Sequence, residues 1–312
     1  MPDSPRRSYL QPEIIGQIAD VPLRVHQAVE GPISGRHRSP LHGGSPEFAD
    51  YREYVPGDDL RDLDWRAFGR SDRFYIKRYE EESNLRAHIV LDSSASMGYG
   101  RHASSKYDYA ATLAVSLAAL LLRQRDAVGL TTFDTAEQTR LRPSASSAQL
   151  TRVVSMLESI QPAGETDLGA ALAALADQLP PRSLVALISD LLTDLDSVYE
   201  AIGKLQHGGH ELLLVQVLDA EEIELPFNDS VIFRDIEGSE ELFAEPWAFR
   251  RAYREAMEAF IQEIRDRCQF CGYDHVLLKT SDDLGKTFSQ FLQQRLRQPP
   301  RKHRGRMRQL KS

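Results

Sequence analysis

From residue 85 to about residue 295, short apolar runs alternate with stretches whose apolar positions recur at helical spacing. Leu85–Leu91 reads as a strand, and Tyr107–Arg123 reads as an Ala/Leu-rich helix buried on much of its surface. Asp126–Phe133 is a second strand, with Glu137–Leu141 as a short edge strand hairpinned to it. Ala148–Ile160 and Asp167–Gln178 are helical. Ser183–Ser189 is continuously apolar, as expected of a strand covered by helices on both sheet faces. Asp196–Gln206 is a helix that stops before the Gly208-Gly209 pair, and Glu211–Leu218 is another buried strand. The acidic stretch 219–247 has no clear period. After it come a long helix Phe249–Cys268, a strand Asp274–Lys279 and a closing helix Asp282–Arg295. Strands and helices in this rhythm predict an α/β fold, a doubly wound and mostly parallel sheet.

Texture divides the chain in three. Residues 1–84 are charged, with Gly and Pro scattered through Gly31–Gly57, and read as an N-terminal arm or subdomain. Residues 85–295 carry the α/β pattern, with 219–247 as an irregular insertion. Residues 296–312 form a basic flexible tail, Arg295–Ser312 holding eight Lys or Arg and no acid. The formal net charge of −8 argues against a general nucleic-acid binder. Met1-Pro2-Asp3-Ser4-Pro5 is not a secretory leader, and the longest apolar run, Ala110–Leu122, has 13 residues, short of the roughly 20 that span a bilayer. Together with the absence of a disulfide framework, this predicts a cytoplasmic protein.

Ligands in doubly wound sheets gather beyond the carboxyl ends of strands, and three such ends carry hard oxygens. The first is Asp92-Ser93-Ser94-Ala95-Ser96, a D-x-S-x-S pattern. The second is Gly164-Glu165-Thr166-Asp167, just before a helix, and the third is Ser189-Asp190. In a loop leaving a strand, alternate residues can turn to one point, so Asp92, Ser94 and Ser96 can share a centre. Hydroxyls and carboxylates without soft ligands favour Mg2+, or Mn2+ or Ca2+, over zinc. The competing reading of each motif is a helix N-cap, Asp190 among them for the helix beginning near Asp194.

The arrangement resembles the metal-ion-dependent adhesion site of von Willebrand factor A domains. That resemblance implies that Ser94, Ser96 and Thr166 coordinate the ion directly, that Asp92 and Asp190 act through water, and that a partner's acidic residue completes the shell. Leu191-Leu192 stands where many relatives carry glycine, which opens the question of the third loop's shape. The N-terminal block Glu47-Phe48…Tyr51-Arg52…Pro56-Gly57-Asp58-Asp59…Asp64-Trp65-Arg66 resembles the signature of the bacterial domain-of-unknown-function family fifty-eight (DUF58), whose members join it to a von Willebrand factor A-like domain. Relatives of this kind resemble accessory proteins of MoxR-type AAA+ ATPases, which implies a chaperone-like or assembly role. The chain has no G-x-x-x-x-G-K-[ST] loop, so ATP hydrolysis would belong to the partner.

These signs predict a protein-binding module and not an enzyme. One alternative is a haloacid-dehalogenase-like phosphotransferase. Such enzymes commonly place a general-acid Asp two residues after the nucleophile, where this chain has Ser94, whose hydroxyl cannot fill that role near neutral pH. The other alternative is a scaffold with a vestigial metal site. Cys268-Gln-Phe-Cys271 lacks the further ligands of a structural zinc site.

Overall fold

The computed structural model describes residues 8–19, 21–23, 37–38, 48–53, 75–79, 82–83, 85–100, 104–133, 139–164, 167–234 and 241–298. In chain order its elements are α1 (Pro12–Ala19), β1 (His37–Arg38), β2 (Phe48–Glu53), β3 (Tyr75–Tyr79), β4 (Glu82–Ser83), β5 (Arg86–Asp92), α2 (Lys106–Arg123), β6 (Ala127–Phe133), β7 (Thr139–Ser144), α3 (Gln149–Ser159) and α4 (Leu168–Ala176). There follow β8 (Leu184–Ser189), α5 (Leu195–His207), β9 (Glu211–Leu218), α6 (Ala220–Glu224), β10 (Val231–Arg234), β11 (Glu241–Ala244), α7 (Pro246–Cys271), β12 (Asp274–Lys279) and α8 (Leu284–Arg297). Among the described residues no helix is long and apolar enough to cross a membrane.

The larger unit is built on a six-stranded sheet of order β12-β9-β8-β5-β6-β7, parallel throughout except for the edge strand β7. The apolar runs of β8 and β9 are buried at every residue because helices lie on both faces. One face packs Val90, Leu187 and Leu214 against Leu172 of α4, Val198 and Ile202 of α5 and Ile264 of α7. The other lies against α2, whose Ala and Leu positions are nearly all buried. Ser105 caps α2 in a reciprocal box with Asp108. Gly169 permits the close approach of α4 to α5, since a Cβ there would meet Ser197 Cβ at 2.5 Å.

Four features depart from the sequence reading. The segment 219–247 is ordered at both ends, by α6 and by the β10–β11 hairpin. Helix α7 begins at Pro246, a residue suited to a first helical turn. The edge strand is β7, Thr139–Ser144, shifted towards the C-terminus. The smaller unit spans residues 28–85, while α1 belongs to the larger one. Ile18 and Leu23 are fully buried, Tyr9 Oη donates to Asp108 Oδ1 at 3.0 Å, and Leu23 N donates to Gln124 Oε1 at 2.9 Å. Within the smaller unit β2 pairs with β3 and β1 with β4, both antiparallel. The block 54–74, with Pro56-Gly57-Asp58 and Trp65, lies outside the described residues, as does the basic tail from 299 onwards. Cys268 and Cys271 are buried in the last turn of α7.

The buried His88 and the half-buried His275 make stability depend on pH. Burial, reinforced by Arg140 and His210, lowers His88 from 6.5 to about 4, and burial with Arg265 does the same to His275. The folded values lie below the unfolded one, so their stabilisation is complete above pH 6.5 and is lost as pH falls towards 4. The limit is about 3 kcal/mol per histidine. Urea midpoints are expected to fall across that window, and less steeply in His275→Gln. A slope unchanged by that substitution would contradict the assignment.

Candidate functional site

Strands β5 and β8 are neighbours in the sheet, yet the chain leaves them in opposite directions, to β6 on one side and β9 on the other. This is the topological switch point, where diverging loops leave a crevice. The register pairs Leu91 with Ile188, so Asp92 emerges beside Ser189 and Asp190. Ser189 Oγ donates to Asp92 Oδ2 at 2.6 Å, and Ser94 N donates to Asp92 Oδ1 at 2.9 Å. Ser94 Oγ lies 3.0 Å from Ser96 Oγ, which donates to Asp190 Oδ2 at 2.9 Å. Four of the five expected residues therefore converge. Asp92, Ser94 and Asp190 are buried, and Ser96 is half-buried at the rim.

Thr166, the fifth, lies outside the described residues, but the chain on its N-terminal side is held at the crevice. Ala95 N donates to Gly164 O at 2.9 Å, and Ala163 N donates to Ser93 O at 3.1 Å. The capping alternatives go to other residues. Ser94 precedes a short 3-10 turn without capping it through its side chain, Asp167 caps α4, and Asp194 caps α5. Asp190 is thus not spent on a helix. Leu191 adopts φ 61°, the left-handed conformation that glycine accepts freely. The strain of about 1–2 kcal/mol is opposed by burial of its side chain and by its N–H, which donates to Ser189 Oγ at 2.9 Å. The third loop reaches its shape without glycine.

Sequence reasoning missed Lys106 and Glu222, and gave Ser189 no role of its own. Lys106 Nζ donates to Asp190 Oδ2 at 2.8 Å and to Glu222 Oε1 at 2.6 Å, with no exposure of the lysine side chain. Glu222 is fixed by accepting from Asp219 N at 2.9 Å, in the capping box of α6. Two signals were available. A lysine in the first turn of a helix opposes the helix dipole and needs a carboxylate nearby, and Asp219-Ala-Glu-Glu222 has capping-box spacing.

Burial and the neighbouring Asp190 carboxylate push Asp92 up to about 6, against the hydrogen bonds from Ser189 and Ser94. Burial works against the Lys106 ammonium, but Asp190 and Glu222 outweigh it and raise its pKa. With all groups ionised, Asp92, Asp190 and Glu222 against Lys106 leave a formal charge that one dication would neutralise. Oxygens on adjacent corners of a magnesium octahedron stand about 2.9–3.0 Å apart, the spacing of the Ser94 and Ser96 hydroxyls. Among the described residues no three His, Cys, Asp or Glu side chains are grouped to hold a metal. An ion here would depend on the hydroxyls.

A family model described as "Protein of unknown function DUF58" matches residues 50–263, more than two thirds of the chain. The chain belongs to the DUF58 family. This DUF58 chain is 26% identical over 280 residues to the uncharacterized proteins Rv1480 of Mycobacterium tuberculosis and Mb1516 of Mycobacterium bovis, covering 87% of its own length and 86% of theirs. Among solved structures it is similar to BatB from Bacteroides thetaiotaomicron, at 18% identity and a TM-score of 0.45 over 69% of this chain and 100% of that one. It is also similar to the SpRpn10 VWA domain, at 10% identity and a TM-score of 0.37 over 68% and 95% of the two chains. The DUF58 chain has an α/β architecture with a mostly parallel central sheet.

Proposed function

We propose that the chain is a metal-dependent protein-binding module. In this reading Ser94, Ser96 and Thr166 hold Mg2+, or Mn2+ or Ca2+, directly, and Asp92 and Asp190 hold it through water. An acidic residue of a MoxR-type AAA+ ATPase then completes the shell, and the chain serves that ATPase in a chaperone-like or assembly role. The observation that carries the proposal is the meeting of two hydroxyls and two carboxylates from separate loops at the switch point. The bound ion would supply positive charge and an open coordination position. The chain's own residues orient it: Ser189 and the Ser94 N–H fix Asp92, and Lys106 fixes one oxygen of Asp190.

Calorimetric titration of MgCl2 into the full chain tests the metal. One ion is expected to bind to the wild type, with at least a tenfold loss in Asp92→Ala and Thr166→Ala. No binding to the wild type would leave a scaffold with a vestigial site, and equal binding in both variants would move the ion elsewhere. Capture of a purified MoxR-type ATPase is expected to need Mg2+ and to be lost with chelator. Capture indifferent to both chelator and Asp92→Ala would refute the proposed contact.

A further inference from the structure

The opposite end of the sheet holds a second cluster of polar groups. Residues two apart on a strand share a face, so Arg86, His88 and Val90 of β5 point the same way. The register pairs Val90 with Thr131 of β6 and Thr131 with Arg140 of β7, which extends that face to the sheet edge. Arg86, His88, Arg140 and Arg142, with Gln178 and Pro180 from the chain after α4, line a cleft of about 680 Å³. Arg86 lies six residues before Asp92 on β5, roughly 20 Å along the strand.

Buried polar groups in folded proteins are almost always hydrogen-bonded, and an exception calls for a water, an ion or a ligand. Here the exceptions gather. Both ring nitrogens of His88, the Thr131 hydroxyl and Arg140 Nε are buried without a hydrogen-bond partner among the described residues. His88 is 0% and Thr131 2% exposed. Arg140 Nη1 donates to Gln178 Oε1, and among the described residues none of the three guanidiniums forms an ion pair. The space is kept by glycine. A Cβ at Gly129 would lie 2.9 Å from His88 Cε1 and 3.0 Å from Leu141 O, so only a residue without one lets the imidazole lie across β6.

We propose that this cleft binds a small phosphorylated molecule, its phosphate held by Arg86, Arg140 and Arg142 and its uncharged part facing His88. Guanidiniums match phosphate oxygens two at a time. Three of them call for more than the single charge of a carboxylate, and the cleft has the size of pockets that enclose small organic ligands. The imidazole, with one N–H donor and one acceptor, suits ring or hydroxyl groups next to the phosphate. This site is independent of the metal reading.

The test is calorimetric titration of the full chain with inorganic pyrophosphate and, separately, with AMP. Buffer free of phosphate and containing EDTA keeps a divalent ion from bridging either ligand to the Asp92–Asp190 rim. One equivalent is expected to bind at physiological salt. The doubly substituted Arg86→Gln/Arg142→Gln, altered at two exposed positions, is expected to bind roughly 100-fold more weakly, about tenfold per arginine. Asp92→Ala is expected to bind like the wild type. The His88 imidazole NMR signals are expected to move as the site fills. Tighter binding of AMP would assign a nucleotide-like ligand, and tighter binding of pyrophosphate a polyphosphate. No binding of either probe, unchanged affinity in the double variant, or His88 signals that stay fixed at saturation would overturn the proposal.

Discussion

Lys106→Met is expected to destabilise the protein by about 3–5 kcal/mol when no divalent ion is present, and added Mg2+ is expected to recover much of that loss. Lys106 is fully buried, and its ammonium lies between Asp190 and Glu222. Methionine keeps the length and most of the packing of the lysine stem, so the substitution removes chiefly the charge. What remains is Asp92, Asp190 and Glu222 around one crevice, with burial and Asp190 already holding Asp92 above the usual carboxylate range. A dication at the Ser94–Ser96 rim would oppose the same repulsion, which is why the two cations are expected to substitute for each other in part. Urea unfolding of wild type and Lys106→Met, each with and without Mg2+, reads both effects. A small loss in stability would mean that water already screens the pair. A large loss indifferent to Mg2+ would count against a metal at this rim.

Arg295→Met is expected to cost a similar amount, about 3–5 kcal/mol, with no response to Mg2+. Arg295 comes from α8 and is 3% exposed. Its Nε donates to Asp274 Oδ2 at 2.6 Å, and its Nη2 donates to Glu211 Oε1. Glu211 opens β9 and Asp274 opens β12, and these strands are parallel neighbours, so the guanidinium joins two carboxylates and a helix. Without it two buried carboxylates remain close together. Replacing all three groups by apolar residues, as Glu211→Leu/Asp274→Leu/Arg295→Met, is expected to restore stability close to wild type, because the desolvation of all three charges is removed together. If the single substitution proves mild in urea unfolding, the cluster is solvated more than its burial indicates.

A residue is legible in the chain when its partners lie close to it along the sequence. The D-x-S-x-S run was legible because Asp92, Ser94 and Ser96 are near neighbours, and the strand before them is plain in its apolar pattern. Asp190 was legible because it follows the apolar run of β8. Lys106 was not, since its partners lie 84 and 116 residues away along the chain. The segment 219–247 looked irregular because α6 spans only Ala220–Glu224 and β10 and β11 are four residues each, too short to show a period. The start of α7 was misplaced although Pro246 is the kind of residue that opens a helix.

By itself, then, the chain's pattern pointed to the class of the fold and to the loops that meet at the switch point. Burial on both faces demands unbroken apolar strands, and a parallel strand must be followed by a crossover, so both leave a local trace. Only the tertiary structure decided that Lys106 and Glu222 share the crevice with Asp190, and that His88 and three arginines line one cleft. Those meetings depend on which strands lie side by side, β5 between β8 and β6. Strand order is settled by packing across the whole sheet, and no short stretch of chain encodes it.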